Sequence, residues 1–298
     1  MSRPVFSYGH TELHQSDCLS WLKRQPERSI TAVVTDPPYG VDEYTEEQQK
    51  KLRAGKGGVW RMPPSFDGNT RSPLPRFTVM SKADIEYQID FFEAWAKTLL
   101  PALVPGGHVM LACNPLLSPF ISTALSAAGL ERRGEIVRLV MTMRGGDRPK
   151  GAHEEFDDVT VMPRSQWEPW LLYRRPIEER TVADNLRKWK AGALRRVSAE
   201  KPFGDVIRSH PTNKSERLLA GHPSLKPQAF LRQVVRASLP LGEGVVVDPF
   251  AGSGSTLAAA EAVGYASIGV ERDPHYVAIA REAIPKLSKL KVSTDPVL

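Results

Sequence analysis

The chain has 298 residues, 41% hydrophobic and 25% charged, with a net charge of +6 and a pI near 9.3. That length buries a real core, enough for one domain with a substantial insertion or for two small ones, and a mean hydropathy of −0.31 suits a globular chain in water. No run approaches the roughly 20 apolar residues of a spanning helix, the first ten residues hold no apolar signal core, and two cysteines, Cys18 and Cys113, are too few for a disulfide framework, so we expect a cytoplasmic protein with reduced, structural thiols and no membrane partner.

In chain order, apolar runs bounded by turn residues mark strands and longer periodic stretches mark helices. His10-Thr-Glu-Leu-His14 sets two histidines four apart. Its Glu is in the wrong slot for a zinc-binding helix and its neighbours read as strand, so no metal is assigned. A β-branched strand, Thr31–Thr35, then runs into Asp36-Pro37-Pro38-Tyr39. The prolines fix two successive φ angles and remove two N–H donors, leaving the Asp36 carboxylate and backbone carbonyls as a rigid set of acceptors. Such a set takes the two hydrogens of an exocyclic aromatic amine, whose lone pair is then aimed at an electrophile while Tyr39 stacks on the ring. A base inside a duplex cannot reach such a pocket, so the nucleotide must be flipped out.

Residues 41–79, rich in Gly, Pro and charge, read as a long loop. A helix over Ala83–Leu100, a sharp turn at Pro105-Gly-Gly107 and a strand over His108–Ala112 follow. Next come a helix over Ser118–Ala128 and strands over Glu135–Val140 and Trp170–Tyr173. Residues 177–221 are basic, with weak helical character around Asp184–Arg196. The last stretch alternates regularly: helix Pro227–Ser238, strand Gly244–Asp248, helix Ser255–Val263, strand Ala266–Val270 and helix Pro274–Ile284. Alternating strand and helix argue for an α/β fold, an open, mainly parallel twisted sheet with helices on both faces.

The strand Gly244–Asp248 ends in a carboxylate, and Pro249-Phe-Ala-Gly-Ser-Gly254 turns the chain before Ser255 and Thr256 open a helix. Ligands of open α/β sheets bind beyond the carboxyl ends of the strands, and Gly252 and Gly254 remove side chains that would block backbone approach. Glu271 ends the next strand, placed to accept from ribose hydroxyls. The turn has no third glycine for the dinucleotide fingerprint, and no Gly-Lys-Ser/Thr for a phosphate loop.

Charge is unevenly spread. Seven Lys/Arg and one acid lie between Gln48 and Arg76, and twelve Lys/Arg against six acids lie between Arg174 and Gly221. Two readings stand for these segments: phosphate-contacting elements, or solvated surface loops.

The motifs resemble the amino-group DNA methyltransferases, in the permuted β class where the catalytic motif precedes the cofactor motif. The resemblance covers nearly the whole chain. It implies a Rossmann-like, S-adenosylmethionine-dependent methyltransferase fold with circularly permuted motif order, S-adenosyl-L-methionine as cofactor and double-stranded DNA as partner. It also leaves room for a homodimer and an associated restriction endonuclease. Asp36, Pro37, Pro38 and Tyr39 match the catalytic motif. Asp17, in the opening segment, would meet the cofactor adenine, although Ser16 replaces the usual Gly. His222 and Lys226 would lie near the methionine end, and Asp248, Phe250, Ala251, Gly252, Gly254, Ser255 and Thr256 match the cofactor motif. Asp36, Glu271 and Arg272 complete the expected cofactor shell.

By position, 177–221 is the target-recognition region. It separates a catalytic half (1–176, with the 41–79 loop inserted) from a cofactor-binding half (222–298) of the same domain. Within it, Arg187, Lys188, Lys190, Arg195 and Arg196, flanking Trp189, are the candidate DNA-contacting residues; a solvated amphipathic helix is the competing reading. The expected reaction is methyl transfer to the 6-amino group of adenine, with the 4-amino group of cytosine as the alternative. Asp as the first residue of the motif leans toward adenine. A catalytically silent DNA-binding regulator is less favoured, because both motifs are intact.

Overall fold

The protein is described here by a computed structural model covering residues 3–38, 82–140, 148–149, 151–220 and 225–292, with the backbone of 65–66 and 69–70. Strands β1 (Phe6–Tyr8) and β2 (Thr11–Gln15) form a hairpin, and helix α1 (Cys18–Leu22) leads to β3 (Ile30–Thr35). A short ribbon, β4 (Ser65–Phe66) with β5 (Asn69–Thr70), precedes helix α2 (Lys82–Ala102). Then follow β6 (Leu103–Ala112), α3 (Ser118–Ala127), β7 (Glu131–Leu139) and β8 (Trp167–Arg174). Helix α4 (Val182–Trp189), β9 (Val206–Arg208) and α5 (Lys214–Leu219) bridge to the last part of the chain. That part comprises α6 (Gln228–Ser238), β10 (Val245–Asp248), α7 (Ser255–Ala262), β11 (Ala266–Glu271) and α8 (Pro274–Ser288).

Nine strands form one sheet in the order β1-β2-β11-β10-β3-β6-β8-β7-β9. Strands β2, β11, β10, β3 and β6 run parallel, β8 is antiparallel to both neighbours, and β9 rejoins parallel to β7. The strands of the last eighty residues sit between β2 and β3, so the two ends of the chain build one sheet rather than two domains.

The β-branched runs read as buried strands because alternate side chains enter two cores. Val33, Val109, Leu111 and Val247 face α2 and α3, packing with Phe92, Trp95, Leu99 and Ile121. Their neighbours Ala32, Val34, Met110 and Val246 face the other way, against Phe230, Leu231 and Val234 of α6 and Ala259 and Ala260 of α7. Each fully buried Val, Leu or Phe is worth about 1.5–3 kcal/mol, so the double coverage fixes which strand ends stand side by side.

The expected turn at Pro105-Gly106-Gly107 is a bulge inside a longer strand: β6 already starts at Leu103, and its register against β3 jumps from Ile30–Leu103 to Ala32–His108. Gly106, at φ +81°, donates its N–H to the Arg175 carbonyl at 3.1 Å, and a Cβ there would meet the Asn185 amide and the Gly192 backbone. The kink is held from both sides and does not end the strand.

Candidate active site

The parallel strands β2, β11, β10, β3 and β6 end at one edge of the sheet, and the two motifs meet there. Thr35, the last residue of β3, donates its hydroxyl to Asp248 Oδ1 at 2.6 Å, joining residues 213 apart in sequence. Asp248 is buried, and the same oxygen accepts the Phe250 N–H at 3.1 Å. Burial pushes its carboxyl up to about 6, against the hydrogen bonds from Thr35, Thr256 and the Phe250 backbone. Asp248 therefore sits inside the protein, where it pins the cofactor turn to the end of β3.

The next residue, Asp36, is half-buried and accepts from Lys226 Nζ through Oδ2 at 2.5 Å. Lys226 also lies 3.3 Å from Glu168 Oε1, and Glu168 Oε2 accepts from Arg138 Nη1 at 2.6 Å. Arg138 is fixed in turn by Ser209 Oγ, by the His210 carbonyl and by the Phe230 ring under its guanidinium. Burial would lower the Lys226 ammonium, but Asp36 and Glu168 outweigh it and hold it above the ordinary lysine value. For Glu168, burial would raise the carboxyl, but Lys226 and Arg138 hold it below the ordinary range. Four alternating charges thus run from β7 to the end of β3. Pro37 is buried and Pro38 exposed.

On the cofactor side, Gly254 adopts φ +80° and begins α7 with no side-chain cap, so the first-turn N–H groups at Ser255 and Thr256 present donors at the strand edge. Ala251 N–H is taken by the Val270 carbonyl. The Phe250 ring leans on α2, about 6 Å from Phe91 and Trp95. Glu271 holds the turn by accepting the Gly252 N–H through Oε2 and the Asp273 N–H through Oε1, each at 2.8 Å. Its carbonyl accepts the Ser16 N–H, which sets the exposed Asp17 beside it as the N-cap of α1. Arg272 is exposed next to them. The edge thus offers carboxylate acceptors at Asp17 and Glu271, and N–H donors with an ammonium at α7 and Lys226. This is the donor set that a bound nucleoside bearing an amino acid needs. Tyr39, His222 and nearly all of the 41–79 loop lie outside the described residues.

The five basic residues assigned to DNA contact fall at the other end of the sheet. Trp189 sits under Arg28, just ahead of β3, and Asn185 donates to the Pro105 carbonyl near the start of β6. Arg195 donates to the Tyr265 hydroxyl, immediately before β11, and stands over that ring. Arg187 is paired with Asp184, Lys188 with Glu179, and Arg196 bonds the carbonyls of Ser198 and Glu200. Lys190, at φ +58°, ends α4. A six-residue strand, about 20 Å long, separates this rim from Asp36. The 177–221 stretch crosses the sheet, and only residues after about 205 return to the edge that holds Asp36 and Asp248.

Comparison with known proteins agrees with this geometry. The family model described as DNA methylase, N6_N4_Mtase, matches residues 30–282. The chain belongs to this family. It is 22% identical to the Type II methyltransferase M2.DpnII of Streptococcus pneumoniae over 285 residues, covering 95% of this chain and 93% of that protein. It is also 22% identical to the Type II methyltransferase M.HindIII of Haemophilus influenzae over 302 residues, covering 92% and 96%. Among solved structures, TTHA0409 of Thermus thermophilus, complexed with S-adenosyl-L-methionine, superposes with a TM-score of 0.57 at 20% identity, over 93% of this chain and 94% of that one. The cytosine-N4-specific PvuII DNA methyltransferase superposes at 0.61 and 16% identity, over 99% and 92%.

This DNA methylase is thus an S-adenosylmethionine-dependent enzyme with a mainly parallel α/β sheet. Sequence reasoning missed Glu168 and Arg138. Their signal was a charge set in a locally apolar stretch, Trp167-Glu-Pro-Trp and Ile136-Val-Arg-Leu, where an unpaired charge is costly.

Proposed function

We propose that this methylase transfers the methyl group of S-adenosyl-L-methionine to the 6-amino group of adenine in a nucleotide flipped out of double-stranded DNA. One observation carries the reading: the hydrogen bond from Thr35 to Asp248 sets the amine-acceptor loop against the cofactor turn. The bound cofactor supplies an electrophilic methyl group. The chain supplies the rest. Asp36 and the Pro37 carbonyl accept the two amine hydrogens and turn the nitrogen lone pair toward the methyl group, and Tyr39 stacks on the base. Glu271 accepts from the ribose hydroxyls, with Arg272 beside it, and Asp17 from the adenine amine. Lys226, His222 and the first turn of α7, at Ser255 and Thr256, receive the methionine carboxylate. Gly252, Gly254, Ala251, Phe250 and Asp248 shape the turn. The amine proton departs to solvent past Asp36.

Asp at the head of the motif favours adenine over cytosine, and the Type II relatives support a partner endonuclease and a cytoplasmic site of action. A homodimer remains part of the proposal. No helix among the described residues is long and apolar enough to cross a membrane.

The reading is tested by following labelled methyl groups from S-adenosylmethionine into unmodified DNA. Wild type should transfer them, and Asp36→Ala should transfer them far more slowly, while calorimetry shows that the variant still binds the cofactor. Equal transfer by Asp36→Ala would sink the assignment of Asp36.

A further inference from the structure

Glu168 lies beyond the two motifs, near the start of β8, between Trp167 and the buried run Pro169–Tyr173. It has no assigned contact of its own with base or cofactor. Yet its carboxylate stands between Lys226 and Arg138, at 3.3 and 2.6 Å, with its side chain mostly buried. A buried carboxylate between two cations is costly to build and is retained only where the arrangement is fully paired. Here every member is paired: Arg138 by Ser209 and His210 as well, Lys226 by Asp36 on its other side.

We propose that Glu168 is a positioning residue for methyl transfer: with Arg138 behind it, Glu168 is the second carboxylate on the Lys226 ammonium, 3.3 Å away against 2.5 Å for Asp36, and so fixes where that ammonium stands at the edge of the acceptor loop. This inference rests on the reading of Asp36 as amine acceptor. A lysine clamped only to Asp36 would compete with the amine for the same carboxylate. A lysine without a second carboxylate, and beside an unpaired Arg138, would lose its proton more readily in a buried site. Glu168 gives the ammonium a second partner and keeps Arg138 paired.

The groups facing Lys226 set the sign of the pH effect. Asp36 from the end of β3 and Glu168 from β8 raise its pKa, Arg138 from β7 lowers it, and burial opposes the charge throughout. Glu216 of α5 accepts the Gln228 N–H and lies in the fields of Arg232 and, more weakly, Arg138. Removing the Glu168 charge therefore moves Lys226 downward.

The test uses Glu168→Gln and the double variant Arg138→Gln with Glu168→Gln. The Lys226 titration is followed by NMR of 13C-labelled lysine, with the resonance identified by its absence from Lys226→Met, and the pH profile of single-turnover methylation is measured in parallel. In Glu168→Gln the Lys226 midpoint and the alkaline limb of the rate profile should both move down by at least about one pH unit, the scale of one lost charge partner. In the double variant, which removes both charges of the pair, both should return part of the way. If Glu168→Gln does not fold, the double variant carries the test alone, because it leaves no unpaired Arg138; its limb should still lie below wild type. A loss of rate that is uniform in pH, or a Lys226 midpoint that moves while the limb stays, would overturn the proposal and leave Glu168 a structural residue. Absence of methyl transfer by wild type would count against the proposed function instead, and the NMR arm would still report on the network.

Discussion

Asp36 and Asp248 are both carboxylates at the ends of neighbouring parallel strands, but they are held in opposite ways. Asp36 is half-buried and paired with a lysine, so it can exchange partners at the open edge. Asp248 is enclosed, and its contacts secure the turn to the end of β3. Asp36→Ala should therefore lower turnover about 10²- to 10³-fold, the usual cost of one preorganised group at a reacting centre, with cofactor affinity changed only slightly in calorimetry. Asp248→Asn should show first in stability. Its folded carboxyl, near 6, lies above the ordinary value of 3.8. The stability it contributes is complete below that ordinary value and is lost as the pH rises through about 6. Glu168 acts in the reverse sense: held below its ordinary 4.5, its contribution is present above that value and lost on further acidification. The two windows separate, so between pH 5 and 7 the wild-type melting temperature should carry an Asp248 component, rising toward pH 5, that Asp248→Asn lacks. Identical slopes for the two proteins would place the carboxyl in a more solvated setting. Glu271→Gln should weaken cofactor binding, since Glu271 both holds the Gly252 N–H and faces the cofactor edge.

Helices and strands differ in how far they announced themselves. Helix α7 and strand β10 are local features: a β-branched run, a glycine that takes positive φ, and small residues beyond it, all legible from a dozen positions. Strand β9 is three residues long and gains its order only by pairing with β7, so nothing within it signals a strand. Helix α4 was visible as a basic amphipathic stretch, and Thr181 caps it as its spacing to Asp184 requires. Its location was not legible, because the contacts that seat it, Asn185 on Pro105 and Trp189 on Arg28, are about 80 and 160 residues away. The same limit hid the charge relay from β7 through β8 to Lys226. Among the described residues of the 177–221 stretch, the exposed cations nearest the reactive edge are instead Arg208 at the end of β9 and Lys214 and Arg217 on α5, which is tied to the start of α6 through Glu216. Neutralising these three should weaken DNA binding and reduce the slope of its salt dependence by up to about 3, as read by fluorescence anisotropy. Neutralising Arg187, Lys188, Lys190, Arg195 and Arg196 should leave that slope near wild type. The reverse pattern would put the DNA across the far rim.

At the scale of the molecule, the order of strands explains why the permuted motifs meet. Strand β10 lies between β11 and β3, so the Asp36-Pro-Pro loop and the turn after Asp248 become neighbours without either being moved to fit. The alternation of strand and helix made the mainly parallel sheet legible, and the motif order implied the permutation. The antiparallel strands β8 and β7, which bring Glu168 and Arg138 to the edge, follow from pairing alone. What this architecture does is decided by one measurement: mass spectrometry of nucleosides from unmodified DNA incubated with S-adenosylmethionine and wild-type protein, beside the same digest from Asp36→Ala. 6-Methyladenine from wild type, and about 10²- to 10³-fold less of it from the variant in the same time, is the predicted result. 4-Methylcytosine would contradict the base assignment, and no methylated nucleoside across DNA of varied sequence would contradict the proposed reaction at this edge.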